Sequence, residues 1–301
     1  MPLGTAHVTT TTGATFIPEI WSDEIIASYK KNLVAANLVK KMAFKGKKGD
    51  AVHIPSPTRG NASVKAASTQ VTLIAATETE VVVNIDKHYE YSRLIEDIVE
   101  AQALSSLRQF YTDDAGYALA RQVDTDLVRL GRGVQGGDGT AAYTGAFSGA
   151  DGTTAYTGTA GALTDAAIRR SIQRLDDNDV PMDNRFLIVP PSTRNTLMGI
   201  ARFTEQAFVG EAGAANTIRN GEIGNVYGIP VFVTSNADAA TDGDRICLLA
   251  HKDFAVLVEQ MGVRSQTQYK QEYLGTLFTS DMLYGVKELR DNSAVALAVP
   301  A

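Results

Sequence analysis

Apolar residues first recur at helical spacing from Pro18: Ile20, Trp21, Ile25, Tyr29 and Leu33, with Glu19, Asp23 and Glu24 in the first turns and Lys30, Lys31, Lys40 and Lys41 toward the other end. Acids near a helix N-terminus and bases near its C-terminus suit the helix dipole, so the pattern predicts an amphipathic helix with Asn37 as a candidate break. From Lys45 to Arg93 the period shortens to two. AVHIP leads into the turn-rich SPTRGNAS. Beyond it Val81, Val83, Ile85, Tyr89 and Tyr91 alternate with Glu80, Asn84, Asp86, His88 and Glu90. This predicts a long β-hairpin with the small-residue tip SVKAASTQ. About twelve residues of strand reach roughly 40 Å at ~3.3 Å each. A two-stranded ribbon is marginal alone, which implies that this one lies on something beyond its own domain, such as another subunit.

Leu104, Leu107, Tyr111, Ala115, Leu119, Val123, Leu127 and Leu130 then step by three or four without a proline. They predict one helix from about Ile95 to Leu130, roughly 50 Å long at ~1.5 Å per residue. It stops in GRGVQGGDGT. Residues 131–161 hold ten glycines and the phrase AYTG twice, at 142–145 and 155–158. A flexible linker and a β-excursion both fit, with Tyr143, Phe147 and Tyr156 favouring packed structure. Thr164 is placed as N-cap of AAIRRSIQRLDD, whose Ile168, Ile172 and Leu175 form an apolar stripe ending before Val180-Pro181. RFLIVP reads as a buried strand, Pro191 as the first residue of the helix STRNTLMGIARF, and 205–222 as an Ala/Gly-rich loop.

In IGNVYGIPVFVTSN, Gly228 marks a turn into a strand with Val231 and Val233 on one face and Phe232 on the other; Pro230 requires the strand's start or an edge. RICLLA follows as a strand, HKDFAVLVEQM as a short helix or edge element, and RSQTQYKQEY, TLFTSDMLYGVKEL and SAVALAV as strands. The elements alternate without a regular βαβ period, which predicts an α+β fold. Residues 1–16 are Thr-rich and aperiodic, and read as a mobile or externally docked arm.

Composition narrows the function. The chain has 301 residues, 44% hydrophobic and 21% charged, enough for a sizeable core, and a formal charge of −6. That charge argues against a protein whose main task is to wrap nucleic-acid phosphates. The one cysteine, Cys247, lies in an apolar run, and no basic-then-apolar leader or membrane-length apolar stretch occurs, which predicts a soluble, unexported protein. GRGVQG matches a dinucleotide fingerprint in spelling but follows a helix and precedes more glycine, where the fingerprint requires a strand and then a helix. The histidines, His7, His53, His88 and His251, lack zinc spacing. Asp176, Asp177, Asp179 and Asp183 lack the glycine and terminal glutamate of a calcium loop. Lys47-Lys48 could meet a phosphate, but a solvated turn is the simpler reading.

The phrases FIPEIWSDEIIASYKKNLVAANLVKK, GDAVHIPSP to YEYSRLIED, QFYTDDAGYALARQVDTDLVRL, RFLIVPPSTRNTLM, IGNVYGIPVFVTSN, HKDFAVLVEQ and LYGVKELRDNSAVAL stand in that order over nearly the whole chain. The ordered set resembles the major capsid proteins of tailed bacteriophages, with the Hong Kong 97-type fold. The resemblance implies an N-terminal arm and short helix over 1–45 and an extended loop over 46–92. It implies a peripheral domain with spine helix and Gly-rich excursion over 93–161, an axial domain over 162–259, and peripheral strands with a C-terminal return over 260–301. It implies a structural protein without enzyme activity or cofactor, which assembles in the host cytoplasm into an icosahedral virion shell of hexamers and pentamers. The partners implied are copies of itself, a scaffolding protein, a portal protein, a decoration protein and double-stranded DNA held without sequence specificity; no membrane is implied. A scaffolding protein is expected as a separate chain, because no helical pre-domain precedes the arm. Asn61, Lys65, Ser68 and Gln70 at the loop tip are the expected inter-subunit contacts. A family-type lysine–asparagine cross-link would use Lys65 and Asn292, although no motif fixes that correspondence. Two other readings stay open: an encapsulin-type compartment with the same fold, and an α/β enzyme binding a nucleotide at the glycines.

Overall fold

Period-two alternation does build strands between residues 51 and 96, but it serves two sheets instead of one hairpin. The computed structural model describes residues 33–44, 49–57, 60, 62–71, 73, 78–97, 107–200 and 224–301; the arm, most of the helix expected from Pro18, Lys47-Lys48 and the 205–222 loop lie outside them. Strands β1 (Lys40–Ala43), β2 (Ala51–Pro57), β3 (Glu78–Asn84) and β4 (Lys87–Glu96) come first, after a single helical turn, α1 (Ala35–Leu38). β2 and β3 form an antiparallel ribbon from Ala51 opposite Asn84 to Pro57 opposite Glu78. The ladder then breaks at Ile85 and Asp86, and β4 pairs elsewhere. Val83 and Ile85 are buried and Tyr89 and Tyr91 half-buried, with Asn84, Asp86, His88 and Glu90 exposed between them. The alternation therefore holds across the break, because it records which face is covered and not which strand lies alongside.

Helix α2 (Leu107–Arg129) is the spine, about 35 Å long at ~1.5 Å per residue. The expected start near Ile95 is corrected: Leu94, Ile95 and Glu96 are strand, paired with Leu277, Thr276 and Gly275. Lys40 and Lys41, expected near a helix end, lie in β1, which runs parallel to β10 (Ala255–Lys270). β10 pairs antiparallel with β11 (Gly275–Glu288), giving the order β1-β10-β11-β4. HKDFAVLVEQM is thus neither helix nor edge element. After a 3₁₀ turn at Lys252–Phe254 it enters an inner strand. Ala255 and Leu257 belong to the core under the spine, whereas Val256 and Val258 belong to a cluster on the opposite face. A strand covered on both sides shows no polar alternation to read.

The second sheet has six strands, in the order β5 (Phe147–Ser148), β12 (Ala294–Val299), β9 (Arg245–His251), β6 (Arg185–Val189), β8 (Ile229–Val233), β7 (Asn225–Val226). Two helices accompany it. Thr164 caps α3 (Asp165–Asp177) by accepting from Ala167 N at 3.2 Å, and Ile168 and Leu175 are buried with Ile172 beside them. Pro191 opens α4 (Pro191–Met198), which ends short of the expected Phe203. Gly228 has φ +80 in the turn before β8. Val231 and Val233 pack with Leu187 and Val189, and Phe232 packs on the opposite cluster, as the alternation requires. Pro230 is the second residue of β8, covered on its outer side only by the two-residue β7. Cys247 is fully buried, with its sulfur 3.5 Å from Thr193 Oγ1, and burial pushes the thiol up to about 12. One core cluster, running from Leu119 and Leu127 through Leu248 to Tyr284 and Ala296, joins both sheets to the spine. The architecture is α+β.

Candidate assembly surfaces

The ribbon projects its tip into solvent. Lys65, Ser68 and Gln70 are all exposed there; Asn61 lies outside the described residues. The turn is closed by Thr69, whose backbone N and Oγ1 both donate to Ala66 O, and Ser68 takes φ +62. Val64, Val71 and Leu73 are exposed beside them, with Val64 and Leu73 at least 90% open. Apolar side chains this open make the tip a candidate contact surface. Along the ribbon, His53 Nδ1 lies 3.0 Å from Glu80 Oε2 and Thr79 Oγ1 donates to Ser56 O, which tie its two strands together.

Its root is held far more tightly. Val52, Ile54, Val83 and Ile85 pack with Met42, Phe44, Val256 and Val258. β11 crosses so close behind that a Cβ on Gly285 would lie 2.3 Å from Asn84 O and 3.2 Å from Ile85 Cα. Asp126 on the spine then ties Lys87, just after the ribbon, to β11 and to the spine itself. It accepts from Lys87 Nζ at 3.1 Å, Tyr284 OH at 2.9 Å and Gln122 Nε2 at 3.1 Å. Two residues earlier, fully buried Asp124 accepts from Ala35 N at 2.7 Å and Asn236 Nδ2 at 2.9 Å. The spine therefore fixes the ribbon root through one carboxylate and the N-terminal segment through the other.

At the far end of the four-stranded sheet Tyr269, Tyr273, Leu274 and Leu94 are exposed, as is Val263 further back along β10. Arg264 donates twice to Asp281, at 2.7 and 2.9 Å, and His88 Nε2 lies 3.1 Å from the same carboxylate, so these strands are cross-braced.

The glycine-rich excursion is packed, not a linker. Tyr143 and Tyr156, the tyrosines of the two AYTG phrases, are both buried. Tyr143 OH donates to Asp238 at 2.7 Å, and Arg132 grips the same carboxylate through Nε at 2.7 Å and Nη2 at 3.1 Å. Burial alone would raise Asp238, but the Arg132 and Tyr143 hydrogen bonds hold its carboxyl below the usual range. Tyr156 OH and Ala160 N both donate to Asp244, at 3.0 Å each. The phrase is in fact longer: Asp138-Gly139-Thr140 and Asp151-Gly152-Thr153 precede the two AYTG copies, with positive φ at Gly139 and Gly152. Each leading aspartate accepts from the threonine N two residues on, at 2.9 Å. The duplicated phrase was the available signal for these anchors. Its aspartate partners, far along the chain, carried none.

The chemical candidates dissolve into structure. GRGVQG forms two 3₁₀ turns, and the Gly136 N–H that a phosphate would need is taken by the Asp291 carboxylate. Asp176 binds Arg185 at 2.7 Å at the end of α3. His251 Nδ1 accepts from Asp253 N at 3.2 Å, and His7 lies outside the described residues. A cleft of about 530 Å³ opens beside His251, lined by Asn178, Asp179, Arg290 and Asn292. Asn292 thus sits at the junction of the sheets and Lys65 on the ribbon tip. Among the described residues no group of side chains is placed to hold a metal ion, and no helix is long and apolar enough to cross a membrane.

Solved structures share this arrangement. A structure from Mycobacterium phage Che8 aligns with TM-score 0.75 and 25% identity over 94% of this chain and 97% of that one. The capsid of cyanophage P-SCSP1u aligns with TM-score 0.75 and 20% identity over 99% and 96%, and the mature capsid of bacteriophage PhiM1 with 0.73 and 13% over 99% and 97%. No curated protein matches the sequence. Two sheets joined by a spine, with a ribbon leaving one of them, make this a shell-building subunit with the Hong Kong 97-type capsid fold. A family model described as "Phage capsid protein" matches residues 78–290, most of the chain, and the chain belongs to that family. It is a structural major capsid protein of the tailed-phage type, and its place is the virion capsid.

Proposed function

We propose that this subunit closes into an icosahedral shell of hexamers and pentamers around double-stranded DNA, with the ribbon tip, including Lys65, Ser68 and Gln70 and by extension Asn61, lying on a neighbouring copy. The observation that carries this is the ribbon itself. It is rooted by an obligatory glycine and a buried cluster, yet ends in exposed Val64, Val71 and Leu73. An apolar surface on a projecting arm is covered only by another molecule, and identical subunits meeting head to tail close into rings. In this reading 1–45 is the N-terminal arm and short helix, 46–92 the extended loop, 93–161 the peripheral domain, 162–259 the axial domain, and 260–301 peripheral strands with a C-terminal return to the axial domain; the pairing of β12 with β9 supports that return, while β5 also joins the six-stranded sheet. A separate scaffolding protein sets the curvature, portal and decoration proteins complete the particle, and assembly takes place in the host cytoplasm. The net charge of −6 suits a container that holds DNA without gripping its sequence.

Negative-stain imaging of the expressed chain, alone and with its scaffolding protein, tests the proposal. Uniform shells are expected only with the scaffold; small monomers under both conditions would overturn the assembly reading, and uniform shells from the chain alone would overturn the scaffold. Leu73→Asp is expected to reduce shell yield at least tenfold with the unfolding midpoint of the unassembled chain unchanged, since the side chain is 90% exposed. Normal assembly of that variant would remove the tip from the interface.

A further inference from the structure

The chain passes between its two sheets at one junction. β9 leads into β10 through the 252–254 turn, β11 leads into β12 through residues 289–293, and Leu289 N and Arg290 N both donate to Phe254 O, so the crossings run side by side. Glu288, the last residue of β11, is turned inward here. Its Oε1 is shut off from solvent with no hydrogen-bond partner, and its Oε2 lies 2.5 Å from where a Gly133 Cβ would be. The carboxylate end thus occupies the space in which a side chain at 133 would begin. Asp291 presses on the same turn, both of its oxygens accepting from Gly136 N at 3.0 Å.

Two carboxyl groups thus face one glycine turn, and positive charge is scarce. Lys287, on Glu288's own strand, is exposed, and Arg132 of the turn is held by Asp238. The residue opposite on β10 is Ala255. Lys252 and Asp253 of the neighbouring turn are exposed, as is Arg290, which lines the outer cleft with His251. Burial first, then the charge of Asp291, push Glu288 up to about 7, with Lys287 opposing.

We propose that Glu288 is a proton-dependent element of this junction: carrying its proton it stays buried beside the 130–136 turn, and on losing it, repulsion from Asp291 and the demand for water loosen that contact. The sign follows from proton counting. A carboxyl with a raised pKa binds more protons folded than unfolded, so its support is lost as pH rises from the ordinary 4.5 toward about 7 and is constant above. Because both crossings meet here, the loosening is expected first in residues 131–136 and 288–293.

The test uses the unassembled full chain, with E288Q and D291N. Carboxyl ¹³C NMR of glutamate-labelled protein should show Glu288 titrating near neutrality, and D291N should move that midpoint down. Amide-exchange protection of 131–136 and 288–293, corrected for the intrinsic rate, should fall about tenfold between pH 5 and pH 7.5 in the wild type and stay level in E288Q. A Glu288 midpoint in the ordinary carboxyl range, or equal loss of protection in wild type and E288Q, would overturn the proposal. If E288Q does not fold, the wild-type titration and the D291N shift decide the matter.

Discussion

Asp238→Ala should lower stability by about 3–5 kcal/mol, the range for removing one partner of a buried ion pair, and should leave little protein able to assemble. The carboxylate is the common acceptor of Arg132 Nε and Nη2 and of Tyr143 OH, and all three side chains are at most about a fifth exposed. Alanine strands a guanidinium and a buried phenol together. Tyr143→Phe removes only one neutral donor and should cost about 1–2 kcal/mol, nearer the value of a single hydrogen bond. Denaturant unfolding of the unassembled chain measures both. A loss under about 1 kcal/mol for Asp238→Ala would mean the glycine-rich segment is held by its own turns instead. Because Asp238's carboxyl is held below the usual range, its support is present above the ordinary carboxyl pKa and is lost as pH falls through the lower folded value, so the Asp238→Ala difference should shrink only in strong acid.

Gly285→Ala should be nearly as damaging, but at the ribbon root. The added methyl would meet Asn84 O at 2.3 Å and Ile85 Cα at 3.2 Å, and both are backbone atoms that cannot rotate away. Either β11 or the ribbon must shift, at a cost of about 2–4 kcal/mol, above the ordinary overpacking range because no side chain can yield. The ribbon is the weaker body, held by two strands and one cluster, and is expected to move. Limited proteolysis should cut the variant between 45 and 85 at least tenfold faster than the wild type while the six-stranded sheet stays resistant, and shells should fail to form. Unchanged cleavage with normal shells would show that the root tolerates the displacement.

Much of the fold was legible because local chemistry had one solution. Thr164 before a striped helix, Pro191 at a helix start and Gly228 before Val231-Phe232-Val233 each satisfy a backbone requirement within a few residues. The failures share a different origin. Leu94–Glu96 continues a helical count yet is strand, because Gly275 at the other end of a hairpin allows β11 to lie against it. Val256–Val258 reads as short helix or edge because both its faces are buried. The exchange of partners at Ile85 leaves no trace in the alternation. The tip position of Lys65, Ser68 and Gln70 was legible from the hairpin pattern, whereas the anchors Asp124, Asp126 and Asp238 were not: their partners lie far away in sequence, and an isolated aspartate has no pattern.

The parallel pairing of β1 with β10 joins Lys40 to Val256, and β4 joins β11 over a similar span. During synthesis from the N-terminus, then, the first strand, the ribbon root and the spine emerge long before the strands that complete their sheet. Long-range pairing of this kind is slow, and unpaired edges invite wrong partners while they wait. A nascent subunit thus remains unfinished until its last third has left the ribosome, so a stalled or truncated chain would offer open strand edges to its neighbours in place of a formed shell surface.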